Sequence, residues 1–164
     1  MINYTYCPQC KNILDLSKEY PYCSVCNLTI YKNSKPCAGV LPIKNGKVLL
    51  AKRAEEPHKG EWDIIGGFLN SGEHPKDGAL REALEETGTV MKTTGLLGMY
   101  MDKYDDNSID TLNIFYLAEI INGEPTAHDD VAALEWVDIK NLESINNGFN
   151  NTQAALKDLK KLYS

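Results

Sequence analysis

Apolar and polar positions divide most of the chain into short strands and two helices. Residues 38–43 and 47–53 are strand-like runs joined by Lys44-Asn45-Gly46, and an Asn-Gly step is a strong short-range hairpin signal. A loop rich in Gly, Pro and charge follows through Glu55-Glu56-Pro57-His58-Lys59-Gly60. Residues 75–87 have helical character and stop at Gly88, which suits a left-handed cap. Strands are predicted over residues 96–103, 111–121 and 134–137, with a turn at Asn122-Gly123-Glu124-Pro125. Residues 152–163 form an amphipathic helix whose stripe is Ala155, Leu156, Leu159, Leu162 and Tyr163, with Asn151 as its expected cap. Interleaved strands and helices imply an α/β or α+β sheet with helices packed on it.

The first 37 residues break this pattern. They hold all five cysteines, four of them in the pairs Cys7-Pro8-Gln9-Cys10 and Cys23-Ser24-Val25-Cys26. Two such knuckles supply four thiolates in a tetrahedron, the geometry Zn²⁺ prefers. The short segment has too few large apolar groups to fold on core burial, so metal binding would supply the missing free energy. Disulfides are the other reading, and the N-terminus lacks the basic-then-apolar order of a secretory signal. A redox dithiol would need only one pair. We expect a structural zinc ribbon over residues 1–34, joined through Asn33-Ser34-Lys35-Pro36 to a second domain over residues 35–164. Cys37 precedes an apolar stretch and reads as a buried strand cysteine.

Charge sharpens the division. The chain of 164 residues carries 17 Lys+Arg against 23 Asp+Glu, for a net charge of −6. The first 37 residues carry a net +2, which leaves −8 for the rest. An acidic body repels the phosphate backbone, which argues against broad nucleic-acid binding, and an anionic phosphate compound would reach it through divalent cations. No apolar run approaches the roughly 20 residues of a membrane span. A soluble, cytoplasmic protein is the expectation.

The carboxylates concentrate on the first helix. At about 100° per residue, Glu82, Glu85 and Glu86 share an arc of roughly 100°, with Leu80, Ala83, Leu84 and Thr87 expected on the packed side. Like charges at these spacings repel, and a hard cation such as Mg²⁺ relieves them through carboxylate oxygens. Arg81 is four residues before Glu85 and is expected to hold that carboxylate by a fork-like pair. Gly66-Gly67 lets the backbone approach closely.

The full pattern G-x5-E-x7-R-E-x-x-E-E-x-G, met by Gly67, Glu73, Arg81, Glu82, Glu85, Glu86 and Gly88, resembles the signature of the Nudix hydrolases. Thr89 stands where the pattern usually has an aliphatic residue. Together with the cysteine knuckles, the chain is similar to zinc-ribbon Nudix proteins, a group that includes the NADH pyrophosphatases. It lacks their Ser-Gln-Pro-Trp-Pro-Phe-Pro array, having Gly98-Met99-Tyr100-Met101-Asp102-Lys103-Tyr104 in the equivalent region.

The resemblance implies the Nudix fold, an α/β (α+β) mixed β-sheet sandwiched between helices. It also implies a pyrophosphohydrolase, dependent on Mg²⁺ or Mn²⁺, that cleaves a nucleoside diphosphate linked to another moiety by water attack on phosphorus. ADP-ribose, NADH-like dinucleotides, sugar nucleotides and dinucleoside polyphosphates are the substrate classes. By the family pattern Glu82, Glu85 and Glu86 are metal ligands, with a backbone carbonyl from Gly66 or Gly67 and Glu73 as an auxiliary or orienting group. The general base is a box glutamate or a later acid, Asp129 or Asp130. Arg53 is a candidate phosphate contact, Tyr104 and Trp62 candidate stacking groups, and Trp62 is the more expected in the core. Dimers are frequent in the family. A nucleotide-sensing or protein- or nucleic-acid-binding module is the alternative, although sensors usually carry degenerate boxes. An isoprenyl diphosphate isomerase would need a reactive cysteine, a role Cys37 fits poorly.

Overall fold

A computed structural model describes residues 4–105 and 109–163. The N-terminal segment holds a two-stranded hairpin, β1 (Tyr22–Cys23) and β2 (Leu28–Thr29), around a small core of Cys7, Leu14 and Cys23. The rest is built from β3 (Lys35–Lys44), β4 (Lys47–Arg53), β5 (Trp62–Asp63), β6 (Ile65–Phe68), α1 (Pro75–Thr87), β7 (Val90–Lys103), β8 (Asp110–Asn122), β9 (Val131–Asp138), a 3₁₀ turn (Ile139–Ser144) and α2 (Asn150–Leu162).

β3 is the spine of a mixed sheet ordered β5-β4-β3-β8-β7, with β6 also beside β3 and β9 beside β4. It pairs in parallel with β8 from Lys35↔Thr111 to Pro42↔Ala118. Its other edge changes partner along its length, from β6 over Cys37–Val40 to β4 at Ile43 and Lys44. Lys35 and Pro36, expected in a linker, are therefore strand residues, because the parallel register with β8 begins at Lys35.

Both faces of the sheet are covered. On β4, Val48 and Leu50 join a core closed by Ala155, Leu156 and Leu159 of α2. Leu49 and Ala51 point the other way, into a core with Ala79 and Ala83 of α1. Burial on both sides is why β4 reads as a continuous apolar run instead of an alternating one. Each such Leu removed from water contributes about 1.5–3 kcal/mol.

Two local readings are corrected. α2 begins at Asn150, and Asn151 does not cap it. Asp102, at the end of β7, supplies the missing acceptor: Oδ2 takes the Asn151 backbone N–H at 2.8 Å and Oδ1 the Asn150 side chain at 3.3 Å. A carboxylate at a helix N-terminus also meets the positive end of the helix dipole. On α1, Leu84 is 50% exposed whereas Glu86 is 5% exposed, the reverse of the expected faces. α1 lies over Gly66-Gly67 of β6, where the missing side chains leave room for a carboxylate against backbone. Among the described residues, no helix is long and apolar enough to cross a membrane.

Candidate active site

The helix that carries the acidic box has firm ends. His74, to which the sequence assigned no role, is its N-cap, with Nδ1 accepting the Lys76 N–H at 3.2 Å, and Pro75 follows at the first helical position. Gly88 closes it at φ 67°, its N–H donating to the Leu84 carbonyl at 2.9 Å, as expected. Between these ends Arg81 organises the carboxylates. Its Nε and Nη2 clasp the two oxygens of Glu73 at 2.8 and 2.9 Å. Its Nη1 reaches Glu82 and Glu85, each at 2.8 Å, and Nη2 also donates to the Phe68 carbonyl at 3.3 Å. The fork-like pair expected with Glu85 is thus made with Glu73, and Glu85 receives a single bond. The Arg81 fork pulls the Glu73 carboxyl down to about 2, helped by the Asn70 backbone N–H.

Glu82 and Glu86 sit deeper. The Gly66 N–H donates to Glu86 Oε2 at 3.2 Å. A Cβ at Gly67 would stand 2.7 Å from the Glu82 carboxyl carbon, so glycine is required where this carboxylate meets the strand. A Cβ at Gly66 would collide with the backbone of Ala38 and Gly39. Burial pushes the Glu86 carboxyl up to about 9, with the charges of Asp130 and Glu82 adding to it. Burial also raises Glu82, against the pull of Arg81. Carboxylate oxygens are what a hard cation takes, although among the described residues only the knuckle cysteines form a tight cluster of ligand atoms.

Gly66 and Gly67, which these carboxylates meet, also line a cleft of about 120 Å³ together with Asp130, Phe68, Tyr104 and Phe149; the glutamates themselves are not in its lining. That volume is below the roughly 300–1,000 Å³ of a whole small-molecule site, which leaves room for only one part of an extended ligand. The cleft brings together Arg53, Gly66, Gly67, Tyr104 and Asp130 from the expected set, whereas Asp129 lies outside its lining in a left-handed turn at φ 53°. Arg53 is held in this lining by protein partners: its Nε donates to the Pro57 carbonyl at 2.7 Å, its Nη1 lies 3.5 Å from Asp63 Oδ2, and its guanidinium covers the Phe149 ring at 5.2 Å. Trp62 packs against the α2-side core, as expected. Cys37 is a buried strand residue, and burial, with Glu82 and Asp63 nearby, pushes its thiol up to about 12, which leaves no thiolate nucleophile.

The sequence reading missed the rest of the lining. Tyr104 stacks with Phe149 at 6.0 Å between ring centroids and meets Phe68 edge-on at 5.1 Å. Asp63 is half-buried in the same lining, its Oδ1 accepting from the Thr152 hydroxyl and, at 2.8 Å, from the Ile64 N–H. Burial raises the Asp63 carboxyl against these bonds and against Arg53. Thr111 and Asn113 of β8 complete the floor. Their signal was available, since two polar residues stand at alternate positions just before the apolar run of residues 114–118. Phe149 and Asn151 had none, because only the docking of α2 brings them to the cleft.

At the N-terminus the four knuckle cysteines converge. Cys7 Sγ lies 3.5 Å from Cys26 Sγ, and Cys10 Sγ lies 3.4 Å from Cys23 Sγ. All four sulfurs lie within 4.8 Å of one another, the one such cluster among the described residues. Tetrahedral thiolates at about 2.3 Å from zinc stand about 3.8 Å apart, so the donors fit that ion. The Asn12 backbone and the neighbouring Cys23 lower the Cys10 thiol to about 6.

The NUDIX domain family model matches residues 33–159. An ADP-ribose pyrophosphatase of Methanocaldococcus jannaschii is 36% identical over 102 residues, 62% of this chain and 60% of that protein. The NAD-capped RNA hydrolase NudC of Vibrio parahaemolyticus is 27% identical over 143 residues, 85% of this chain and 53% of that protein. The chain therefore spans between half and two thirds of the length of these curated relatives. Among solved structures, a NUDIX hydrolase from Nitrosomonas europaea has the same fold, with a TM-score of 0.80 at 23% identity over 96% of this chain and 91% of that one.

Proposed function

The chain belongs to the NUDIX domain family, and from that premise we propose that it is a divalent-cation-dependent pyrophosphohydrolase acting on a nucleoside diphosphate linked to another moiety. The observation that carries this reading is the meeting of Glu82 and Glu86 with the Gly66-Gly67 backbone, which also lines an aromatic cleft. ADP-ribose and NAD-like dinucleotides are the favoured substrates, because the names of the two relatives report activity on ADP-ribose and on NAD-capped RNA.

Glu82, Glu85 and Glu86, with the Gly66 carbonyl, would hold Mg²⁺ or Mn²⁺, and the four cysteines Zn²⁺. The chemistry a divalent ion supplies there is neutralisation of the diphosphate and a lowered pKa for bound water. The chain's own residues do the positioning. Arg81 fixes the rotamers of Glu73, Glu82 and Glu85 through one planar guanidinium. Glu73 orients Arg81 and the Asn70 loop, since both its oxygens are occupied there. Asp130 is the better base candidate, because it lines the cleft and Asp129 does not. Water attacks phosphorus, its proton passes to that carboxylate, and the P–O bond of the anhydride breaks to leave two phosphorylated products.

Purified protein supplied with Mg²⁺ or Mn²⁺ should hydrolyse ADP-ribose or NADH faster than sugar nucleotides or dinucleoside polyphosphates. No product from any of these would sink the proposal.

A further inference from the structure

The cover that α1 gives its face of the sheet stops short of the outer strands. α1 packs chiefly on β3 and β6 and scarcely reaches β8. In the antiparallel register of β7 with β8, Leu96 stands opposite Tyr116, Met99 opposite Ile114 and Met101 opposite Leu112. Opposed residues share a face, and Ile114 and Tyr116 pack against the α1-side core. Leu96, Met99 and Met101 therefore point to the α1 side, where no described residue covers them: they are 52%, 62% and 60% exposed. Leu84, 50% exposed, extends the patch onto the helix. Glu82 turns toward Gly67 of β6, so Leu84, about 160° away round the helix, turns toward the β8 side of the sheet.

These four side chains carry no charge, and neither do Leu112, Ile114 and Tyr116, half-buried beside them. Together they make an apolar patch on the order of 400 Å², the size at which an exposed patch marks a contact site. Lys103 and Asp110, exposed and of opposite sign at the end of the ladder, begin a polar rim. With a rim of similar area the patch reaches the roughly 800 Å² that each partner gives to a standard interface.

We infer that this patch is the contact between two copies of the chain, packed face to face about a twofold axis. A charge-free surface has nothing with which to steer or select a charged partner, whereas it complements its own image. Pairing β7 edge to edge with its copy would leave the four side chains in water. Three register shifts along β7 also twist its outer edge away from a straight ladder. The contact lies on the flank of α1 away from Glu82, so it leaves the acidic box open, and it does not depend on the proposed reaction. Each chain carries a net charge of −6, so two copies repel one another and the apolar contact holds them against that repulsion.

Sedimentation equilibrium of the full chain, with zinc retained, tests the inference. At up to about 100 μM, above the dissociation constants usual for an interface of this size, the mass should approach twice 18.3 kDa. Raising NaCl from about 0.05 M to about 0.5 M should tighten the dimer, because salt screens the repulsion. Met99→Glu puts a carboxylate from each copy into the contact and should raise the dissociation constant at least about a hundredfold. Met99 touches water already, so the dichroism spectrum should not change. Leu84→Glu, from a different element, should have the same effect. Val25→Glu, on the ribbon at 64% exposure, should leave the dimer as it is. A monomer at every concentration overturns the inference, as does a dimer that salt dissociates. So does a dimer that Met99→Glu leaves intact, or one that Val25→Glu breaks. Should Leu84→Glu disturb α1, Met99→Glu decides alone.

Discussion

Replacing Glu86 by Gln should stabilise the protein that lacks Mg²⁺ and abolish its activity. The Glu86 carboxyl is pushed from 4.5 up to about 9 by burial and by Asp130 and Glu82. At pH 7 the unfolded chain ionises this group, whereas the folded chain keeps it protonated. The folded pKa is the higher one, so the favourable contribution is fully present below pH 4.5 and is lost as pH rises toward 9. Between pH 4.5 and pH 7, at about 1.4 kcal/mol per unit, the loss is on the order of 3 kcal/mol. Gln carries no charge and keeps an oxygen for the Gly66 N–H. Glu86→Gln should then match the parent near pH 4 and exceed it by about 3 kcal/mol near pH 7, a rise in Tm of roughly 10 °C for a chain of this length. The gap should widen further toward pH 9. Thermal denaturation by circular dichroism across this range, in buffer without Mg²⁺ or Mn²⁺ and with zinc retained, gives the comparison. Adding Mn²⁺ should raise the Tm of the parent and leave Glu86→Gln unmoved. A variant less stable than the parent near pH 7, or a difference independent of pH, would refute the reasoning.

Three further outcomes follow from particular contacts. Arg81→Lys loses the two-point clasp on Glu73 and the bonds to Glu82 and Glu85, so kcat should fall at least about tenfold with the dichroism spectrum unchanged. Asp102→Ala removes the only side-chain acceptor of a backbone N–H at the start of α2 among the described residues and should cost about 1 kcal/mol in urea denaturation; a neutral effect would show that the cap is not used. Elemental analysis should find one zinc per chain, lost in Cys23→Ala, whose sulfur lies 3.4 Å from that of Cys10.

What the sequence revealed depended on how local the cause was. The hairpin between β3 and β4, the cap at Gly88 and the paired cysteines are set by residues close in the chain, and they read correctly. The faces of α1 did not, because the glycines that admit Glu86 to the interior lie on β6, outside the helix's own periodicity. The partner of Arg81 was misread for a similar reason. A helical wheel offers Glu85 at the next turn, but the loop before α1 folds back and brings Glu73 within 2.8 Å of it. The cleft was least legible. Asp63, Asn113 and Asn151 come from three elements, and only the assembled sheet with α2 docked brings them together.

The central claim is that this acidic box hydrolyses an adenosine diphosphate derivative. ADP-ribose incubated with the protein and Mn²⁺ in ¹⁸O-enriched water, with products read by mass spectrometry, tests it most directly. The expected result is AMP and ribose 5-phosphate in equal amounts, with ¹⁸O in one phosphate per turnover and no product from Glu86→Gln. Unchanged ADP-ribose, or equal turnover by Glu86→Gln, would contradict it.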